Sequence, residues 1–311
     1  MEEMKVRKNQ IIELSIKDLV DKFIAAQDVA KSSRQIYQRE LRQFINWLES
    51  TDRIETLNSL AREDILQYKR DLIKSQMSSY TISSYITVVR KFFQWLESEK
   101  IYPNITQNIK GMKKPKGHKK NCLTVDQIRE ALNSINREDL NGKRNYAIFN
   151  LLVRTGLRTV EVARVNVGDI RQKSDQAVLY IQGKGRDQKD DFVILTKEAL
   201  KPIRDYLAAR GDIIGEQEPL FISHSNRNYG KGLTTRSIRR VIKGILKEIG
   251  LNTTRYSAHS LRHTAITLAI KGGASLQQTQ AMARHSDPKT TMIYYHNLNR
   301  VEEGAEKKIK I

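Results

Sequence analysis

The chain has 311 residues, 39% of them hydrophobic, and its 55 basic against 35 acidic side chains leave a formal charge of +20. That length is ample for two domains with sizeable cores, and the charge is a long-range attraction for a polyanion, with nucleic acid the first candidate and a merely solvated lysine surface the plainer alternative. A single cysteine, Cys122, excludes an intrachain disulfide and a cysteine-built zinc site. The opening residues, M-E-E-M-K-V-R-K-N-Q, lack the apolar core of a signal peptide, and no run approaches the length of a membrane span. The expected setting is therefore the cytoplasm or nucleoid, with no membrane partner.

From Leu14 to about Asp28, the residues Leu14, Leu19, Val20, Phe23 and Ile24 recur at helical spacing. Ser32 and Ser33 offer caps for a second helix whose apolar side carries Ile36, Tyr37, Leu41, Phe44, Ile45 and Leu48. A third is expected over about Arg62 to Lys74 and a fourth over about Ser79 to Glu99. No strand pattern interrupts them, so the first hundred residues read as an all-helical bundle. Its polar faces carry Arg34, Arg39, Arg42, Lys69, Arg70, Arg90 and Lys91, a DNA-contacting surface or an ordinary solvated one. Tyr102 to Asn121 then brings prolines, glycines and lysines, Lys113 and Lys114 among them, with little to bury. It reads as a basic linker able to follow a phosphate backbone.

Beyond Leu123, Thr124 caps a helix running to about Ile135. A nearly apolar helix follows from about Gly142 to Thr155 and ends at Gly156. Leu157 to Val165 forms a turn and short helix bearing Arg158 and Glu161. Ala177 to Gln182 and Asp191 to Leu195 read as two strands flanking a charged tip, G-K-G-R-D-Q-K-D. Helices are expected at about Lys197 to Arg210 and Thr235 to Gly250, with an extended piece, Pro219 to Ile222, between them. The last helices come from Arg255 to His296, followed by a short tail of mixed charge.

That final stretch holds the densest chemistry. His259 and Arg262 stand three residues apart, on one helical face; His285 follows a Gly-Gly break, and Tyr294 comes nine residues later. Phosphodiester cleavage needs a nucleophile, positive charge for the phosphorane and a proton for the leaving oxygen. His259 and His263 have the i, i+4 spacing of a zinc helix, but Ser260 stands where H-E-x-x-H needs glutamate, and no metal is expected. Guanidinium forks, here Arg158 and Arg262, are the alternative clamp. Tyr294 is a candidate nucleophile whose phenol needs activation, and Lys184 on the hairpin tip could reach a leaving oxygen. Singly, each residue has a plainer reading: a capping arginine, a solvated turn lysine, a packing tyrosine.

In combination they resemble a known family. T-G-L-R-T-V-E-V at Thr155 to Val162 resembles the first arginine box of the tyrosine recombinase (phage integrase) family, and G-K-G at Gly183 to Gly185 looks like its lysine hairpin. H-S-L-R-H-T at His259 to Thr264 resembles its H-x-x-R box, and H-S-D-P-K-T-T-M-I-Y at His285 to Tyr294 its nucleophile segment. The resemblance spans about residues 14 to 297 and keeps the family's order. It implies a mainly α fold with a small β-sheet: an all-α, SAM-like core-binding bundle over 14–102, a basic linker over 103–121, an α+β catalytic domain over 122–300 and a tail over 301–311. It also implies a site-specific recombinase, Xer-like in its simple layout, that cleaves and rejoins double-stranded DNA without a cofactor, four protomers forming the synapse and the free protein able to be a monomer. Tyr294 would form a 3′-phosphotyrosyl bond, Arg158 and Arg262 would hold the non-bridging oxygens, and Lys184 would protonate the 5′-oxygen. His259 would assist proton transfer, His285 would hydrogen-bond the phosphate, and Glu161 would orient its neighbours. Arg34, Arg90, Lys91, Lys113 and Lys114 are the expected DNA contacts outside the catalytic set.

Two departures stand out. Where the family has Leu-Gly before the histidine, this chain has Ala283-Arg284, an arginine that either adds a DNA contact or reshapes the turn. Tyr295 follows Tyr294, so a neighbouring phenol competes for the nucleophile's place, and Arg186 and Lys189 compete with Lys184. A type IB topoisomerase and a non-catalytic DNA-binding accessory protein are the alternative functions.

Overall fold

The computed structural model describes residues 15–51, 57–113, 121–183, 185–211, 214–251, 253–302 and 304–309. The chain divides into two compact units, Met1–Lys116 and Gly117–Ile311.

The first unit is built from α1 (Ile16–Ala26), α2 (Lys31–Ser50), α3 (Arg62–Lys74) and α4 (Ser79–Ser98). Ser15 starts α1 with a capping box, its hydroxyl accepting from the Asp18 N–H while the Asp18 carboxylate accepts from the Ser15 N–H. Ser32 and Ser33 do not cap α2; the helix begins one residue earlier, after Ala30, and both serines lie in its first turn. Phe23, Phe44, Phe92 and Phe93 are fully buried and meet edge-on or tilted, so one aromatic cluster joins α1, α2 and α4. Trp47 Nε1 donates to Asp71 Oδ2 at 3.0 Å and ties α2 to α3.

The first half of the expected linker packs against this bundle. Thr106 and Ile109 are buried, Tyr102 Oη donates to the Leu60 carbonyl (2.6 Å), Lys69 Nζ to that of Lys110 (2.7 Å) and Ser83 Oγ to that of Met112 (3.0 Å). Ile109 enters the bundle core, with Tyr102, Ile105 and Met112 packed against it. A composition of proline, glycine and lysine hid this, because those apolar residues are few and the remaining ties are main-chain carbonyls. Lys114 and the residues up to 120 lie outside the described residues.

In the second unit, α6 (Leu140–Thr155) is the central element. Ala147, Ile148, Phe149, Leu151 and Leu152 are fully buried, and α5 (Val125–Ser134), α8 (Lys197–Arg210), α9 (Thr235–Glu248) and α10 (Ala258–Lys271) pack around it. From Ala147 to Val153 every residue is buried, so the middle of this helix lies inside. The short α7 (Thr159–Val162) follows, and a three-stranded antiparallel sheet is inserted before α8: β1 (Ile170–Lys173), β2 (Gln176–Ile181) and β3 (Asp191–Ile194), in that order. Leu179 pairs with Ile170 on one side and Val193 on the other. The β2–β3 hairpin matches the two expected strands, whereas β1 is an addition. Three of its four residues are exposed, so it has no apolar alternation to see, and it joins β2 through Ser174 and Asp175, both at positive φ as in a type I′ turn. The unit ends with α11 (Leu276–Ala283) and α12 (Pro288–Glu302). No helix among the described residues is long and apolar enough to cross a membrane.

Two glycines in this unit make opposite predictions. Gly142 lies in the first turn of α6, where an added Cβ would fall 1.7 Å from the Asn136 carbonyl oxygen. Gly142→Ala should cost about 1–3 kcal/mol through overpacking. Gly244, in α9, has nothing within 4 Å of its Cβ position, and Gly244→Ala should gain about 0.5–1 kcal/mol through helix propensity. Thermal or denaturant unfolding of the two variants checks both signs.

Candidate active site

The site starts where α6 stops. Gly156 takes the left-handed conformation, φ 63° and ψ 20°, and its N–H closes the helix on the Leu152 carbonyl at 3.0 Å. The reversal places Arg158 at the start of α7, and Glu161 in the first turn of that helix reaches back. Its Oε2 accepts the Arg158 N–H at 2.6 Å, and its Oε1 accepts Arg158 Nη1 at 2.8 Å. Glu161 is fully buried, while the Arg158 side chain is 32% exposed. A third donor completes the carboxylate's surroundings: Arg284 Nη2 meets Oε2 at 3.0 Å. Burial alone would raise the Glu161 pKa. The Arg284 guanidinium, then the N–H and guanidinium of Arg158, outweigh it and hold the carboxyl below its ordinary range.

Arg262, on the buried face of α10, ties this corner to the end of α11. Its Nη1 donates to the Gly156 carbonyl at 2.6 Å and its Nη2 to the Ala283 carbonyl. Burial, with repulsion from Arg158 and Arg284, lowers its pKa to about 10, against the opposing pull of Glu161 and Tyr294. It stays a cation at neutral pH. Arg158 and Arg262 thus stand in one charged cluster, each restrained by acceptors of the protein itself.

Tyr294 lies on the inner side of α12, 5% exposed, in a small apolar group with Ile266 and Ala283. Its hydroxyl shares a hydrogen bond with His263 Nδ1, and its ring stacks on His285 with centroids 6.2 Å apart and planes 19° from parallel. Burial pushes the phenol pKa up to about 12, with Arg262 pulling the other way. His285 Nδ1 shares a hydrogen bond of 2.9 Å with Thr291 Oγ1, one turn into α12. His259 is exposed in the first turn of α10, its ring centroid 4.4 Å from that of His263. Tyr295 points elsewhere: its hydroxyl donates to the Ala274 carbonyl and lies 3.3 Å from Thr279 Oγ1.

Glu161 on α7, His259 and Arg262 on α10 and Tyr294 on α12, with Arg158 capping α7 and His285 in the turn between α11 and α12, therefore come together in one region of the second unit. Lys184 lies outside the described residues. Its two competitors are engaged: Lys189 Nζ lies 2.5 Å from Asp169 Oδ2 and Arg186 Nη1 2.5 Å from Asp190 Oδ2. The expected DNA contacts of the first unit lie on α2, on α4 and in the segment after α4. Lys91 is exposed, its Nζ 5.7 Å above the Tyr37 ring; Arg34 is exposed, with its Nε donating to the Gln27 carbonyl (3.1 Å); Arg90 is half-buried. Lys113 is exposed at the end of the segment held by Ser83, and Lys114 is not described.

Three features escaped the sequence reading. In the sequence His263 stands out only as half of a zinc-like pair, and in the fold it is the group that meets the Tyr294 hydroxyl. Arg284 was noticed, but its partner Glu161 lies 123 residues away in sequence. The third is α9. Ile238, Ile242, Ile245 and Leu246 bury one side, leaving Arg236, Arg239, Arg240, Lys243 and Lys247 exposed. Arg239 and Lys243 join Arg158, His259 and Arg262 around a pocket of 440 Å³. The amphipathic period of α9 was a sufficient signal for this basic face.

Comparison with known proteins bears on the whole chain. Residues 121–300 match the phage integrase family, and residues 16–100 match the N-terminal SAM-like domain of phage integrases. Tyrosine recombinase XerD of Listeria monocytogenes serotype 4b (strain F2365) is 27% identical over 286 residues, covering 90% of this chain and 93% of that protein. Tyrosine recombinase XerC of Herpetosiphon aurantiacus is 28% identical over 268 residues, covering 85% and 84%. Among solved structures, the XerH site-specific recombinase in a post-cleavage complex with palindromic difH substrate superposes with a TM-score of 0.73 at 21% identity, covering 92% of this chain and 83% of that one. The Tn1549 transposon integrase bound to transposon right end DNA gives 0.71 at 18% identity, covering 94% and 99%. At such identities these superpositions establish the shared fold. The sequence matches reach further, covering both units: the chain belongs to the phage integrase family and is a tyrosine recombinase, a site-specific enzyme that cleaves and rejoins DNA.

Proposed function

We propose that Tyr294 is the nucleophile of this recombinase and that Arg158 and Arg262 hold the scissile phosphate. The observation that carries the assignment is the convergence of two ordered guanidinium groups with a phenol held against two imidazoles, from helices far apart in sequence. The phenol oxygen attacks phosphorus, the bond to the 5′-oxygen breaks, and a 3′-phosphotyrosyl bond remains. The guanidinium groups meet the charge that grows on the non-bridging oxygens. Lys184 supplies the proton to the 5′-oxygen, His259 assists proton transfer, and His285 donates to the phosphate. The covalent bond conserves the phosphodiester's free energy, so attack by the 5′-hydroxyl rejoins a strand without a cofactor.

At a pKa of about 12 the phenol is neutral at pH 7 and must lose its proton as it attacks. It also lies 5% exposed against His263. For cleavage, Tyr294 leaves that contact and turns toward the pocket lined by Arg158, His259 and Arg262.

The duplex runs across Arg239 and Lys243 and is gripped by the 14–102 bundle through Arg34, Arg90 and Lys91. In the second half of the 103–121 segment, whose first half packs on the bundle, Lys113 and Lys114 meet the duplex backbone, and 122–300 form the catalytic domain. Four protomers make the synapse, with the 301–311 tail on a neighbour, and the setting is the cytoplasm or nucleoid. The similarity to XerD and XerC along both units supports a Xer-like simple recombinase.

Trapping tests the nucleophile. Footprinting on genomic fragments defines the site, and a suicide duplex nicked within it is offered to the protein. Wild type and Tyr295→Phe should form a covalent adduct, and Tyr294→Phe should form none. An adduct surviving in Tyr294→Phe and lost in Tyr295→Phe would reverse the assignment; no adduct with wild type on its own site would overturn the proposed mechanism. The α9 contacts are tested separately. Arg239→Ala and Lys243→Ala should each weaken binding to every duplex and lower the salt slope of log K by about 1. Lys201→Ala, whose lysine pairs with Asp205 at 2.9 Å on α8, should leave the slope unchanged.

A further inference from the structure

Arg284 closes α11 in the left-handed region, φ 53° and ψ 48°, a conformation natural to glycine and disfavoured by any side chain. The turn is thus the one a glycine would make. The side chain is 6% exposed, so it does not reach a duplex either. It turns inward: Nη1 donates to the Met282 carbonyl at 2.5 Å, anchoring the head to its own helix, and Nη2 donates to Glu161 Oε2 at 3.0 Å. The Arg158 guanidinium then meets only Oε1 of that carboxylate, through Nη1 at 2.8 Å. This is a one-point contact where an isolated carboxylate invites a two-point fork.

Resting on the reading of Arg158 as half of the phosphate clamp, we propose that Arg284 is a positioning residue for the reaction. Oε2 takes two donors, the Arg158 N–H at 2.6 Å and Arg284 Nη2 at 3.0 Å. As the second of them Arg284 fills that oxygen, fixes the Glu161 carboxylate and confines the Arg158 guanidinium to the Oε1 edge, leaving the rest of it directed at phosphate. The same link couples the turn before His285 to the clamp, so the two ends of the site are set together. A glycine at 284 would keep the turn and lose the link.

The test uses the full chain and the suicide duplex defined above, with Arg284→Gly and Arg284→Lys, each alone and in a Glu161→Gln background, and thermal melting to verify folding at the assay temperature. Arg284→Gly should lower the cleavage rate at saturating DNA about 10-fold with the Kd for the duplex within about twofold, as expected when a transition-state contact is misplaced and ground-state binding is kept. Arg284→Lys, which can still reach Glu161, should stay within about threefold of wild type, and in Glu161→Gln the glycine substitution should cost less than about twofold, the mark of two residues acting through one contact. Wild-type cleavage by Arg284→Gly, or the same loss in both backgrounds, overturns the proposal while leaving the recombinase mechanism intact. If Arg284→Gly melts below the assay temperature, Arg284→Lys decides: a full tenfold loss there, equal in both backgrounds, overturns it. Absence of any wild-type adduct overturns the clamp assignment and this proposal with it.

Discussion

The Glu161 carboxylate is the contact on which the catalytic unit depends. It is fully buried, and such a charge is tolerable only with its lone pairs taken up. Here the Arg158 main chain, the Arg158 guanidinium and the Arg284 guanidinium take them. Removing one partner from a buried pair typically costs about 3–5 kcal/mol, because the remaining charge stays buried. The depressed Glu161 pKa fixes the sign of the pH dependence: the stabilisation is present above the carboxyl's unfolded pKa and is lost as pH falls through its folded value. One carboxylate thereby sets the start of α7, the direction of Arg158 and the end of α11.

Arg262 makes the second connection. Its guanidinium bridges the Gly156 and Ala283 carbonyls, one at the end of α6 and the other at the end of α11. Helix ends leave carbonyls unsatisfied, and a buried cation is a fitting partner for them. Both helices end in a left-handed residue, Gly156 and Arg284. The backbone reverses sharply beside each cation, bringing Arg158 on one side and His285 on the other to the same cluster. The nucleophile is treated differently. The surroundings that order the guanidinium groups keep the Tyr294 phenol neutral, buried and bonded to His263, so the arrangement holds the clamp ready and the attacking group back.

Much of this was legible in the chain because the relevant signals are local. The apolar period marks α3 and α8 to the residue, Thr124 announces α5 through its capping box with Gln127, and Gly156 stops α6. The boxes around Arg158, Arg262 and Tyr294 are short, and their order pointed to the family. What could not be read are contacts between distant segments, or contacts made by the main chain. β1 exposes three of its four residues and exists through its pairing with β2. Residues 103–113 look like tether and are held by a few scattered side chains, Ile105, Ile109 and Met112, and by the carbonyls of Lys110 and Met112. In the sequence Arg284 reads as an added DNA contact or a reshaped turn, and only the fold shows that its charge is spent on Glu161.

The central claim is that the carboxylate shared by Arg158 and Arg284 aims the clamp at the scissile phosphate. A crystal structure of the Tyr294→Phe protein on its uncleaved site tests this most directly. The account predicts Glu161 still bridging the two guanidinium groups, with Arg158 and Arg262 on the non-bridging oxygens of a single phosphate. A phosphate met by neither arginine, or a Glu161 swung away from Arg158 when DNA is bound, would contradict it.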